Sequence, residues 1–265
     1  MNIFLREIKA NIKSLFIWCM AMVAMIGGGM GKYAGFTGAG ESINDMLDIY
    51  PKSLLNIMGI SGFDLSTAIG FYGVLFLYLI LLAATHAIML GAGIIAKEER
   101  DKTTEFLFSK PISRSRVITF KLLAGLLNII ILNVVTLIGS LIVVNYFNKG
   151  DDITNDIIIL MMGMFILQLI YISIGALLAS IRKKSRDVAY SATGILLITF
   201  MLYMVTNINK GFEALKYFTP FKYFEAEPII LGRGINFLFI ILSGVIMGIS
   251  LIVTYESYRG RDLDV

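Results

Sequence analysis

His86 is the only histidine of the chain and Cys19 the only cysteine, so metal binding and nucleophilic chemistry have little to start from. A lone histidine with no Cys, Asp or Glu at ligand spacing makes no zinc site. A single thiol excludes an internal disulfide, and Cys19, beside Trp18 in an apolar run, reads as a small buried hydrophobe. His86 stands about ten residues from the end of an apolar segment, close to mid-membrane by helical rise. Two readings stay open for it: a group on a substrate route, or a neutral ring bonded to Thr85 or to a neighbouring helix. The run Gly27-Gly28-Gly29-Met30-Gly31-Lys32 comes nearest to a phosphate loop, but that pattern needs Gly where Ile26 stands and Ser or Thr where Tyr33 stands. The chain therefore does not bind ATP by that motif. No catalytic constellation survives, and neither an enzymatic activity nor a cofactor or metal of its own is expected.

Milder polar groups sit inside the apolar runs: Asn128, Asn133, Thr136, Gln168, Tyr171, Tyr190 and Tyr203. Asn133 and Thr136 are three residues apart and share a helical face, as do Gln168 and Tyr171. With His86 they can line a substrate path. They can equally be interhelical hydrogen bonds, which are common glue between membrane helices. Mid-span Asp, Glu, Lys and Arg are missing, and ion-coupled carriers use such groups. Energy for any transport is expected from elsewhere.

The densest charge lies in residues 97–116, KEERDKTTEFLFSKPISRSR. Six cations and four acids surround a short apolar cluster, Phe106-Leu107-Phe108. Thr103 can cap the free amides of a helix, and Glu105 suits the positive end of its dipole. Pro111 then breaks the chain, and Ser113 or Ser115 can cap the next helix. A short amphipathic helix, charged on one face, fits a groove in a partner protein. The simpler reading is a loop resting on lipid headgroups.

The elements that must hold these groups can be read from composition. The 265 residues are 57% hydrophobic and only 16% charged, with mean hydropathy +0.80. A soluble domain carries about 25% charged residues, so the bilayer must be the solvent here. The expected architecture is all-α, one membrane domain over residues 1–265. Residues 1–14 form a basic amphipathic helix (Ile3, Phe4, Ile8 and Ile12 on one face) lying flat on the membrane. Six spans come after it, at about 15–31, 71–96, 117–144, 157–181, 188–206 and 236–255. Segments 32–70 and 207–235 connect spans on one side; 97–116 and the basic turn 182–187 lie on the other. Short interfacial helices are expected around Met46-Leu47-Ile49-Tyr50 and Leu54-Leu55-Ile57-Met58. Small-residue pairs Gly175/Ala179 and Gly244/Gly248 mark close helix contacts. Of the Lys and Arg residues, sixteen fall on the side of the termini and seven on the other, which places both termini in the cytoplasm. Charge so distributed is an orientation signal, and nucleic acid is not expected as a partner.

Glu98-Glu99-Arg100-Asp101-Lys102-Thr103-Thr104-Glu105-Phe106-Leu107, followed by Ser109-Lys110-Pro111-Ile112-Ser113-Arg114, resembles the segment after the second span of ABC-2-type transporter permeases. In that family the pattern runs roughly E-x-x-x-G-T-x-E-x-L-L-x-x-P-[IV]-S-R and forms a cytoplasmic coupling helix that docks on the ATPase subunit. Lys102-Thr103 stands here where many members have Gly-Thr. The amphipathic N-terminus is similar to the family's elbow helix. Phe218-Thr219-Pro220-Phe221-Lys222-Tyr223-Phe224 is similar to an external S/T-P-x-x-Y-F segment, and Arg261-Asp262-Leu263 to a common tail.

The resemblance implies the permease subunit of an ATP-driven exporter in a bacterial or archaeal plasma membrane. Its partners would be two ATPase chains, which hold the ATP and Mg, a second permease, identical or homologous, and membrane lipids. Docking would fall to Glu98, Glu99, Lys102, Thr103, Thr104, Glu105, Phe106, Leu107, Pro111 and Arg114, with 104–107 in the ATPase cleft. Amphipathic drugs, peptide antibiotics, lipids and polysaccharides are the substrates such relatives export. A reading from another class is a membrane-embedded sensor or immunity protein that moves nothing and binds a cytoplasmic regulator through the same stretch.

Overall fold

In lipid every backbone N–H and C=O must be bonded within the protein, so long apolar runs free of proline become helices. The four prolines of this chain, Pro51, Pro111, Pro220 and Pro228, fall between the runs. The computed structural model describes residues 3–38, 49, 51, 54, 55, 59, 60, 62–101, 112–150, 152–182, 185–208 and 210–260. Among these the regular elements are all helical: α1 (Ile3–Gly38), α2 (Ala68–Arg100), α3 (Arg114–Phe147), α4 (Thr154–Ile181), α5 (Ser185–Ile208), α6 (Ala226–Ile230) and α7 (Phe237–Gly260). Two 3-10 helices, η1 (Lys210–Phe218) and η2 (Pro220–Phe224), precede α6. All but α6 of the α-helices are long and apolar enough to cross a membrane, six in number. Each begins or ends within a few residues of its expected span, with one exception.

The exception is α1. Its 36 residues make about 54 Å of helix against a hydrocarbon core of about 30 Å. The helix expected to lie flat ahead of span 1 is instead continuous with it. Of the apolar face expected there, Ile3 and the following Leu15 are buried and Phe4 and Ile8 half-buried, but Ile12 is 56% exposed; Glu7, Met22, Ile26, Met30 and Tyr33 are buried as well. The expected interfacial helix around Met46 lies almost wholly outside the described residues; of the next patch, Leu54 and Leu55 are helical.

The bundle is built on α2 and α4, which make the most extensive pairing; α1 packs mainly on α3, α5 on α2 and α7 on α4. Apolar burial gives no drive between helices already in lipid, so backbone proximity has to. A Cβ on Gly91 would stand 2.2 Å from the carbonyl oxygen of Ile172, and one on Gly175 would stand 2.3 Å from that of Ile88. Glycine at these two places is what lets α2 and α4 touch. Gly244 and Gly248, expected to do the same on α7, meet no described atom within 4 Å, so that expectation fails. Instead α7 buries Ser243, Ser250, Thr254 and Tyr258.

Three other seams carry a polar tie between hydroxyls. Tyr72 donates to Ser140 across α2/α3 at 2.7 Å, the Tyr171 and Thr199 hydroxyls bond across α4/α5 at 2.7 Å, and Thr119 bonds Tyr255 across α3/α7 at 2.8 Å. The start of α1, the end of α2, the start of α3 and the end of α7 share one end of the bundle, since Arg6 reaches Glu98 and Arg114 reaches the Arg259 carbonyl. We call this the termini end. The opposite, far end is tied by the Tyr33 hydroxyl donating to the Ser66 carbonyl at 2.9 Å.

Candidate functional site

At the termini end, α1, α2 and α3 each bring charged residues to one place. Glu7 is fully buried on α1, Glu98 is 3% exposed on α2, and Lys121 is fully buried on α3. The Lys121 ammonium lies against the Glu98 carboxylate and also donates to the Ile94 carbonyl at 2.6 Å. Arg6 bridges the two acids, 2.6 Å from Glu98 and 2.9 Å from Glu7, and Lys97 approaches Glu7 at 3.4 Å. Three cations and two carboxylates thus interlock three helix ends. Buried charges of this kind are tolerable only when paired and hydrogen-bonded, and both carboxylates have partners from another helix.

Residues 102–111 connect α2 to α3 in the chain, between the two strongest arms of this network. They lie outside the described residues, and with them Lys102, Thr103, Thr104, Glu105, Phe106, Leu107 and Pro111. Their flanks are described. Ile112 packs with Phe120 against a small cluster of Ile3 and Val117, so the start of α1 braces the return of the chain into α3. Ser113 occupies the N-cap position of α3 without a side-chain cap bond. Arg114 donates to the Arg259 carbonyl at 3.2 Å, adding the end of α7. Glu99 stays half-buried, whereas Glu98, expected among the docking residues, is turned into the bundle. A partner on this end would meet Glu98 only through the groups it holds.

Sequence reasoning missed this network. Lys121 is one of the sixteen cations counted on the side of the termini, and Glu7 has no part in that count. The signal was there: Glu7 shares the face of Ile3 one turn earlier, and Lys121 stands two turns inside an apolar helix. Each had to find a counter-charge or leave the membrane.

The residues expected on a substrate path divide into three places. Asn133 of α3 donates to Gln168 of α4, both buried, and Thr136 turns back on the Leu132 carbonyl at 2.7 Å. Tyr171 and Tyr203 set their rings around Phe221 at centroid distances of 5.4 and 6.4 Å; Tyr171 stands inside the bundle and Tyr203 nearer the far end. His86 is 3% exposed and sets its ring edge-on to Trp18 of α1, 5.5 Å between centroids. Thr85 does not bond it; that hydroxyl donates to the Leu81 carbonyl at 2.8 Å. Tyr190 faces outward.

The far end is closed by the 3-10 segment. Pro220, Phe221, Tyr223 and Phe224 are all buried, and Thr219 donates to the Thr199 carbonyl at 2.7 Å. Beside this plug lies a cavity of about 220 Å³, walled by Phe76, Leu77 and Ile80 of α2 and rimmed by Tyr203, Asn207, Lys222 and Glu225. Lys222 donates to Asn207 at 2.7 Å and pairs with Glu225 at 2.7 Å. Burial pushes the Tyr223 hydroxyl above its ordinary range, and that hydroxyl donates to the Tyr217 carbonyl.

A family model described as ABC-2 family transporter protein matches residues 1–263. No curated protein matches the chain.

Proposed function

This chain belongs to the ABC-2 transporter family, and we propose that it is the permease of an ATP-driven exporter whose energy comes from separate ATPase subunits. As a multi-pass membrane protein of ABC transport, it leaves ATP and Mg to those partners. The observation that carries the reading is the match over nearly the entire chain. Orientation is read from charge: sixteen of the cations flank the termini end, which makes that end cytoplasmic; the bacterial or archaeal plasma membrane is taken from the family resemblance.

Residues 97–116 are the docking element for the ATPase, with 104–107 as the contact. What supports this is the network at their root. A push on this stretch is delivered to Glu98 and Lys121, hence to α2 and α3 together, and through Arg6 to α1. Two permeases and two ATPase chains form the working unit, and the cargo is amphipathic. The far-end segment 207–235, packed on α4 and α5, gates release.

The experiment is a pull-down of the tagged protein from its native membrane, with mass spectrometry and an ATPase assay. A stoichiometric ATPase with vanadate-sensitive turnover is expected. Recovery of the chain alone, or with a kinase or protease, would replace this reading by that of a sensor or immunity protein. Glu105→Lys with Phe106→Asp should abolish ATPase recovery while leaving membrane insertion intact; a double variant that still co-purifies would remove 104–107 as the contact.

A further inference from the structure

A second cavity, of about 120 Å³, opens between α1, α2 and α3 just inside the ion network. Asn11 stands one turn beyond Glu7, and Asn128 stands two turns beyond Lys121. By helical rise the cavity begins about 6 Å to 10 Å deeper in the membrane than the charges. His86 and Trp18 line its inner part.

Its polar groups are uncharged. The His86 Nδ1 is buried and has no hydrogen-bond partner among the described residues. Asn128 commits one amide N–H to the Ala124 carbonyl at 2.7 Å, and Asn11 one of its own to the Glu7 carbonyl at 2.9 Å. Each keeps a second N–H and an amide oxygen, and the Ser14 hydroxyl lines the same cavity. Among the described residues no Asp, Glu, Lys or Arg lines it; the remaining wall is Leu15, Trp18, Met89, Leu90, Gly93 and Ile94. A buried ring nitrogen without a partner costs free energy that a hydroxyl supplied from outside would recover.

The mouth faces outward. Ser14 and Met89 are exposed on the flank of the bundle, and a Cβ on Gly93 would meet nothing within 4 Å. Beside it the exposed side chains are apolar: Ile17, one turn from Ser14 on α1, is 66% exposed and Met89 of α2 39%. A molecule reaching the cavity therefore comes sideways from the leaflet at the termini end. The volume matches about four waters at ~30 Å³ each, enough for a headgroup of glycerol size and too small for a whole amphiphile.

We propose that this cavity seats the uncharged, hydroxyl-bearing headgroup of an acyl-chain amphiphile taken from that leaflet, with His86 and Asn128 accepting from its hydroxyls. The proposal rests on the permease reading and narrows its cargo to neutral amphiphiles. A charged headgroup would have to leave water for a place with no counter-ion, a large penalty, whereas hydroxyls lose only bonds the site replaces.

Trp18 is the only tryptophan of the chain, so its fluorescence reports on this cavity. The test uses the full chain in phosphatidylcholine nanodiscs, titrated with a monoacylglycerol brominated on its acyl chain. A fatty acid and an alkyl trimethylammonium with the same brominated chain serve as comparisons. Quenching by the monoacylglycerol should saturate, while the two ionic probes quench only in proportion to their partitioning. Gly93→Leu, which blocks the mouth and leaves every polar group in place, should remove the saturable part. His86→Leu should raise the half-saturating amount about fivefold, the change expected for one lost hydrogen bond, and His86→Gln should restore it. Three probes quenching alike, or saturation unaffected by Gly93→Leu, would overturn the proposal. Saturable quenching without a co-purifying ATPase would keep the cavity and reject the permease reading; an ATPase partner without saturable quenching would do the reverse.

Discussion

Lys121 and Glu98 show how one residue can be legible in type and illegible in role. Both read as charges near a membrane surface, yet each is buried with the other as counter-ion. Removing one leaves the other stranded, which costs about 3 kcal/mol or more in buried pairs. Lys121→Met is therefore expected to lower the unfolding temperature in detergent markedly, because Glu98 keeps only Arg6. Lys121→Met combined with Glu98→Leu should regain most of the loss, since two apolar side chains of similar size leave no orphan charge. A double variant no more stable than the single would mean that the pair is not the feature holding this end. Arg6 is more exposed than the carboxylates it bridges, so Arg6→Gln should cost less than Lys121→Met in the same measurement.

Helix pairing is decided by where glycine faces backbone. Gly175→Ala would drive a methyl group to within 2.3 Å of the Ile88 carbonyl oxygen, which only separation of α2 and α4 can relieve. Overpacking of this kind typically costs about 1–3 kcal/mol. Gly244→Ala meets open space and should be neutral or slightly stabilising by helix propensity. Thermal unfolding of the two variants side by side checks this, and equal effects would contradict the packing described. At the far end Phe221 is fully buried among Tyr171, Phe200 and Tyr203. Phe221→Ala should cost about 3 kcal/mol or more and loosen η2, read as faster proteolysis in 207–235 while α2 and α4 stay protected.

For the whole molecule, the network at the termini end holds α2, and the aromatic plug packs on α4 and α5, both of which pack on α2. With docking at 97–116 as proposed, motion there would pass to α2, which walls the far cavity with Phe76 and Ile80. Deleting 212–224 should therefore abolish transport while ATPase recovery in the pull-down persists. Unchanged transport would remove the far-end segment from the release step.

Six spans, their approximate limits and the all-helical class were legible because lipid forces apolar runs to satisfy their own backbone. The elements needed no partner to be recognised, and the family resemblance rested on local motifs such as 98–114 and 218–224. What tertiary structure alone decided was who faces whom. It turned Glu7 and Glu98 inward, made Gly175 a contact and left Gly244 free, and sent Asn133 to Gln168 but His86 to Trp18. The physical reason is that helical periodicity places residues on a common face without saying which neighbour that face meets. In a chain apolar on every side of each helix, lipid and protein look alike to the sequence, and only the assembled bundle separates them.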